Sequence, residues 1–207
     1  MNGSFQENCW LLMDRERRKA VLVDPGEDAD LLLEELRRER LTLTAIWLTH
    51  AHIDHVLGVP GVREATGVPI WLHPADRPLY DAVPQQAAMF FGAIVPPLPP
   101  PTDTLRDGQI LTFGGTAFTV CHVPGHSPGH VAFVTEGVVW GGDVLFAGSV
   151  GRVDLPGGDG AALMQSIERS FLTLPDDTVV CPGHGPETTI GHERRTNPFL
   201  TGAVRLV

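Results

Sequence analysis

Four ionisable side chains crowd into six residues of the stretch TAIWLTHAHIDH, residues 44–55: His50, His52, Asp54 and His55. The apolar run before them reads as a buried strand, and an unpartnered polar group near the interior is costly. The arrangement recurs. FTVCHV runs into PGHSPGH with His126 and His130, VVW into GGDVLF with Asp143, and TVVC into PGHGP with His184. Each motif alone has a bland reading: a lone His-x-His is often surface, and PGH and GGD mark ordinary turns. His73 in LHPAD reads as the cap of a following helix. The combination is harder to dismiss. If the strand ends converge, His50, His52, Asp54, His55, His126, Asp143 and His184 share one cleft, where they would repel when protonated and lack partners when buried. A divalent metal removes both difficulties. Imidazole with carboxylate and no thiolate suits zinc, with iron or manganese as alternatives. Seven ligands exceed one tetrahedral ion and suit two ions about 3.5–4 Å apart that share a bridging carboxylate.

The elements that must position these residues are legible from pattern. CWLLM and AVLVD form a hairpin around the charged turn DRERR. DADLLLEELRRER has helical periodicity with Asp28 as its cap. AIWLTH is a strand, GVREATG a short helix ending at Gly67, and VPIWLH another strand. The stretch VPPLPPPTDTL, residues 95–105, reads as a stiff crossover between two halves. After it TAFTVCHV, VAFVT and VVWGGD are strands, GAALMQSIERSFLTL is an amphipathic helix, and DTVVCPGH is a last strand. The apolar cluster QQAAMFFGAIV, residues 85–95, favours core packing over a substrate-facing lid. Strands and helices mix without the regular alternation of a doubly wound sheet. The expected class is α+β: one domain, 1–207, of two mixed halves, with two packed sheets and helices outside.

Composition narrows the function classes. Apolar residues at 43% and charged residues at 19% describe a globular chain. A net charge of −10 argues against nucleic acid or anionic lipid as partners. No apolar run reaches membrane length, and MNGSFQENCW lacks a basic stretch leading into an apolar one, so a cytoplasmic location is expected. Cys9, Cys121 and Cys181 are odd in number, widely spaced and placed in predicted strands, which points to buried thiols.

THAHIDH matches the HxHxDH signature of the metallo-β-lactamase superfamily, and PGHSPGH, GGD and CPGHGP resemble its remaining ligand motifs, in the same order. The resemblance spans nearly the whole chain. It implies a four-layer αββα sandwich with two metals: one held by His50, His52 and His126, the other by Asp54, His55 and His184, with Asp143 bridging. His130 then supports the site without binding metal. Asp24 in LVDPG resembles an acidic residue that either supports a ligand or closes a turn.

ENCWLL, LVDPG, SVGRVDLPGGD and TTIGHERRTNPFL together look like the short bacterial glyoxalase-II-like hydrolases, similar to enzymes that cleave S-D-lactoylglutathione. The implied chemistry is attack on a thioester carbonyl by a hydroxide available because metal lowers the pKa of bound water to about 7. Asp54 would orient that hydroxide. A thiol of ordinary pKa about 8.5 then leaves without a strong acid. Full-length glyoxalase II grips glutathione with a C-terminal helical extension, whereas only residues 196–207 follow GHERR here. Arg152, Asp154, Arg194 and Arg195 are the candidates for a polar substrate contact. The rival readings are a mononuclear iron persulfide dioxygenase, a lactonase or β-lactamase, and a metal-binding protein without catalysis.

Overall fold

The computed structural model describes residues 2–206. The chain divides into two compact units: one runs to Leu105 and takes in Phe113–Gly115, the other comprises Arg106–Thr112 and the chain from Thr116 onward.

The first unit is built on a five-stranded mixed sheet. β1 (Trp10–Asp14) and β2 (Lys19–Val23) form the expected antiparallel hairpin. α1 (Ala29–Glu39) follows and ends at Arg40, whose φ of 55° closes the helix in the left-handed region. Asp28 stands at its N-cap position but its side chain makes no capping bond, so the expected cap is only positional. β3 (Thr42–Trp47) pairs parallel with β2, because the connection is a helical crossover and not a tight turn. α2 (Ile53–Val56) and α3 (Val59–Thr66) follow, and α3 ends on Gly67 as read from its sequence. β4 (Ile70–Leu72) is parallel to β3; a 3-10 turn over Pro74–Asp76 then accepts His73 as its cap, the imidazole receiving the Ala75 N–H at 3.3 Å. α4 (Arg77–Asp81) and α5 (Val83–Phe91) lead into the proline-rich stretch, which ends in β5 (Asp103–Thr104). Buried Tyr80 ties that stretch down by donating to the Pro99 carbonyl at 2.8 Å. The core is aliphatic: Leu22, Ile46, Leu48, Val56, Val62 and Ile70 are wholly buried.

The apolar cluster of residues 85–95 departs from expectation. Met89, Phe90 and Phe91 are 76%, 57% and 52% exposed, so these large side chains are not core. α5 is apolar around most of its girth, and only Val83 and Ala87 face inward.

The second unit carries a six-stranded mixed sheet in the order β13-β12-β9-β8-β7-β6. Its strands are β6 (Ile110–Phe113), β7 (Thr116–His122), β8 (Val131–Thr135) and β9 (Val138–Gly142), followed after a small hairpin of β10 (Leu145–Phe146) and β11 (Ser149–Val150) by β12 (Val179–Pro182) and β13 (Thr188–Thr189). α6 (Gly160–Ser170) begins at Asp159, whose carboxylate accepts the Ala162 N–H at 3.0 Å, and α7 (Ile190–Thr196) follows β13. Leu163, Ile167, Phe171, Val139 and Val180 are fully buried in this core. Of the three cysteines, all free thiols, Cys181 is buried in β12; Cys121 in β7 is half-buried, and Cys9, also half-buried, precedes β1. Among the described residues no helix is long and apolar enough to cross a membrane.

Candidate metal centre

In the first unit β2, β3 and β4 are parallel neighbours, so their C-terminal ends share one sheet edge, the place where α/β sheets present ligand-binding loops. The ladder runs just past the strands: Asp24 N–H donates to the Trp47 carbonyl at 3.1 Å and Leu48 N–H to that of Trp71 at 3.0 Å. This brings the Asp24 carboxylate beneath Thr49. Oδ1 accepts the Thr49 N–H at 2.7 Å and Oδ2 accepts the Thr49 hydroxyl at 2.6 Å. With its proton given to Asp24, the Thr49 oxygen accepts from His50 Nδ1 at 3.0 Å, while His55 Nδ1 donates to Asp24 Oδ2 at 3.1 Å. One carboxylate therefore sets the tautomer of both rings, and Nε2 carries the lone pair on each. Asp24, His50 and His55 offer atoms within 4.8 Å of one another. Both Asp24 oxygens are engaged by hydrogen bonds from Thr49 and His55, on the Nδ1 side of the rings, so this carboxylate acts as an acceptor that orients them.

The rest of the THAHIDH loop is shaped from nearby. Buried Asp76 accepts the Ala51 N–H at 2.9 Å, fixing the backbone between His50 and His52. The His50 ring lies 4.8 Å from that of His52 and 4.1 Å from that of His55, centroid to centroid. Asp54 and His55 sit side by side on α2, with Asp54 Oδ2 3.7 Å from His55 Nε2. Buried Glu7 places Oε1 3.7 Å from His55 Nδ1. The nearby Cys9 thiol is pushed well above its ordinary pKa by burial, and further by the negative charges of Glu7 and Asp24.

In the second unit topology brings the other residues to one edge as well. β12 is parallel to β9, so Asp143 after β9 and His184 after β12 emerge together, tied by Gly183 N–H to the Gly142 carbonyl at 2.8 Å. β7 and β8 are antiparallel, as are β8 and β9, so the β7–β8 loop carrying His126 and His130 lies at the same edge. Gly125 begins that loop's turn with φ of +138°, and a Cβ there would strike the Leu163 backbone. His126 Nδ1 donates to the Arg152 carbonyl at 2.8 Å, again leaving Nε2 as the lone-pair nitrogen. His130 Nε2 accepts the Asp143 N–H at 3.1 Å, so this ring holds the aspartate's backbone. Gly151 passes so close that a Cβ would lie 2.0 Å from the Asp143 carbonyl oxygen.

The spacings inside each unit suit metal. Two ligands on one tetrahedral ion with bonds of ~2.1 Å stand about 3.4 Å apart. Asp143 Oδ2 lies 3.5 Å from His126 Nε2 and 3.7 Å from His184 Nε2, and Asp54 Oδ2 lies 3.7 Å from His55 Nε2. These are too long for hydrogen bonds and near the separation of atoms that share an ion. One oxygen of Asp143 thus approaches two imidazoles at once, as a bridging carboxylate would.

The candidate substrate contacts are spoken for by local partners. Arg152 and Asp154 form an exposed bidentate pair, both bonds at 2.7 Å, and the guanidinium holds the Asp154 carboxyl down to about 2. Arg194 donates to the carbonyls of Leu172 and Leu174 and pairs with Asp176; Arg195 reaches Asp176 at 3.2 Å. Thr49, Asp76 and Glu7 were not among the residues the sequence singled out. Thr49 stands inside THAHIDH and could have been noticed. A lone acid in a loop, such as Asp76, looks solvated until the fold buries it.

The profile of the Metallo-beta-lactamase superfamily matches residues 2–184. The chain is similar to the hydroxyacylglutathione hydrolase GloC of Haemophilus influenzae, 40% identical over 95% of this chain and 94% of that one. Among solved structures it resembles the B3 metallo-β-lactamase BLEG-1, with a TM-score of 0.90 at 43% identity over 97% of both chains. It also resembles TTHA1623 in a di-iron-bound form, with a TM-score of 0.86 at 46% identity over 96% of this chain and 98% of that one.

Proposed function

The chain belongs to the metallo-β-lactamase superfamily, with its α+β sandwich fold, and on that footing we propose that it is a metallo-hydrolase cleaving an acyl-glutathione thioester such as S-D-lactoylglutathione. The observation that carries the substrate class is the similarity to GloC, which extends over nearly the full length of both chains.

The ligand set proposed is His50, His52 and His126 for one ion and Asp54, His55 and His184 for the other, with Asp143 shared. Zinc suits these donors, and the di-iron form of TTHA1623 favours iron as the alternative. When bound, the ions supply a hydroxide at neutral pH. The chain's own residues then do the positioning. Asp24 and Thr49 hold the His50 and His55 rings in one tautomer, the Arg152 carbonyl does so for His126, and His130 anchors Asp143 through its backbone. Asp54, on the first turn of α2, accepts a hydrogen bond from the attacking oxygen and aims its lone pair at the thioester carbonyl. Arg152 and Asp154 stand exposed beside the His126 anchor as contacts for the polar thiol part.

The likeness to BLEG-1 supports a second reading, hydrolysis of a β-lactam by the same residues. Metal quantification paired with a panel of acyl-glutathiones, lactones, β-lactams and persulfides separates the readings. The expected result is two ions per chain, turnover of acyl-glutathione, and its abolition in His126→Ala and Asp54→Ala with the fold retained. Turnover of β-lactams alone would move the assignment to the second reading. One iron per chain with oxygen uptake on a persulfide would overturn both.

A further inference from the structure

The closing motif TTIGHERRTNPFL is the sequence feature that the ligand set leaves without a task. We propose that Glu193, buried in that motif, is the positioning residue for the metal ligands of the second unit and acts through the β10–β11 hairpin; this rests on the ligand reading above. The hairpin is linked to all three proposed ligands of its unit, directly or through the residues that flank it. Asp143 leads into it. Gly151, leaving it, donates its N–H to the Val144 carbonyl at 3.2 Å, and the next carbonyl, that of Arg152, accepts from His126 Nδ1 at 2.8 Å. Phe146 sets its ring edge-on to His184, with 6.4 Å between centroids. Displacing the hairpin therefore displaces Asp143, His126 and His184 together.

What fixes the hairpin is a buried acid and a buried amide on α7. Glu193 is wholly inaccessible to solvent. Its Oε2 accepts the Gly148 N–H at the hairpin tip at 2.9 Å and an Asn197 amide hydrogen at 2.8 Å, and its Oε1 accepts the Thr188 hydroxyl at 2.6 Å. Asn197, equally buried, gives its other amide hydrogen to the Ser149 carbonyl at 2.9 Å. Burying a carboxyl carries a desolvation cost that an apolar side chain would avoid. What the acid adds is direction: two fixed acceptors clamp the tip, where an apolar contact would let it slide.

The test measures Zn2+ binding by the full chain in competition with a chromophoric chelator, and the visible absorption of the Co2+-loaded protein. Glu193→Ala is expected to weaken Zn2+ binding by about tenfold and to shift the Co2+ bands. Glu193→Gln, whose amide oxygen can accept from Gly148 and Asn197 while its NH2 meets the Thr188 hydroxyl, should restore binding to within about twofold. Asn197→Ala carries the same expectation as Glu193→Ala and replaces it if that variant does not fold. Phe118→Ala, near the start of β7 and away from its ligand loop, serves as the control for general loss of stability. Unchanged Zn2+ affinity and Co2+ bands in the folded α7 variant would overturn the proposal, as would equal changes in the control at equal loss of thermal stability. If Asp143→Ala leaves Zn2+ uptake as it was, the ligand reading itself is what fails.

Discussion

Asp24 concentrates the residue-scale chemistry of the first unit. It accepts three hydrogen bonds, two from Thr49 and one from His55, and through Thr49 it reaches His50 as well. Its own backbone adopts φ of +50°, a conformation rare outside glycine and tolerated best by aspartate and asparagine. Removing the carboxylate frees both rings to turn. Asp24→Ala is therefore expected to lower metal affinity by about 10- to 100-fold while leaving every proposed ligand in place. Metal retained after dialysis against a chelator is the measurement, and full retention would strip Asp24 of this role. From the sequence Asp24 had two readings, ligand support or a plain turn. The turn after β2 delivers the carboxylate to Thr49 and His55, and support of metal ligands is the role proposed for it.

At the scale of elements, two helices that look alike in sequence start differently. Asp28 and Asp159 both precede amphipathic stretches, yet only Asp159 accepts a capping hydrogen bond, from Ala162 N–H at 3.0 Å. Asp28 turns instead toward the Gly3 N–H at 3.3 Å. Asp159→Ala should cost about 1 kcal/mol and Asp28→Ala appreciably less, read as the shift in denaturant midpoint at constant slope. Equal losses would mean that the cap geometry is not what stabilises α6. Helices and strands with strong periodicity, such as α1, α6 and β7, were legible in the chain. The four-residue α2 was not, since one turn leaves no period to read, and its position matters because it sets Asp54 beside His55. The exposed apolar face of α5 was misread for a related reason: continuous hydrophobicity does not say which side has a neighbour.

At the scale of the whole molecule, family membership covers the chain from residue 2 to residue 184, and the remainder holds the motif assigned here to Glu193 and Asn197. Sensitivity to alkali follows from the thiols that the fold buries. Burial raises the Cys181 pKa from 9.0 to about 12, and burial with the Asp107 charge raises that of Cys121. A group that holds its proton more tightly when folded stabilises fully below its unfolded pKa, and that contribution is lost as pH rises toward the folded value. Stability should therefore decline as pH climbs above about 9, and Cys181→Ala should flatten the decline. Urea midpoints measured from pH 8 to pH 11 check this; parallel slopes for the two proteins would count against it.

The chain alone carried the donor types, their order and the strands that end in them, because ligand chemistry and alternating apolar runs are local properties. It carried the superfamily for the same reason, since the signature is a string of neighbouring residues. The hydrogen-bond wiring was beyond it. That Asp24 serves His50 and His55, that Asp76 shapes the loop between them, and that Glu193 holds a hairpin 45 residues earlier all depend on which strands lie side by side and in what register. A partner 25 or 45 residues away becomes a partner only when parallel pairing aligns strand ends or a helix folds back on a hairpin, and no local pattern encodes that distance.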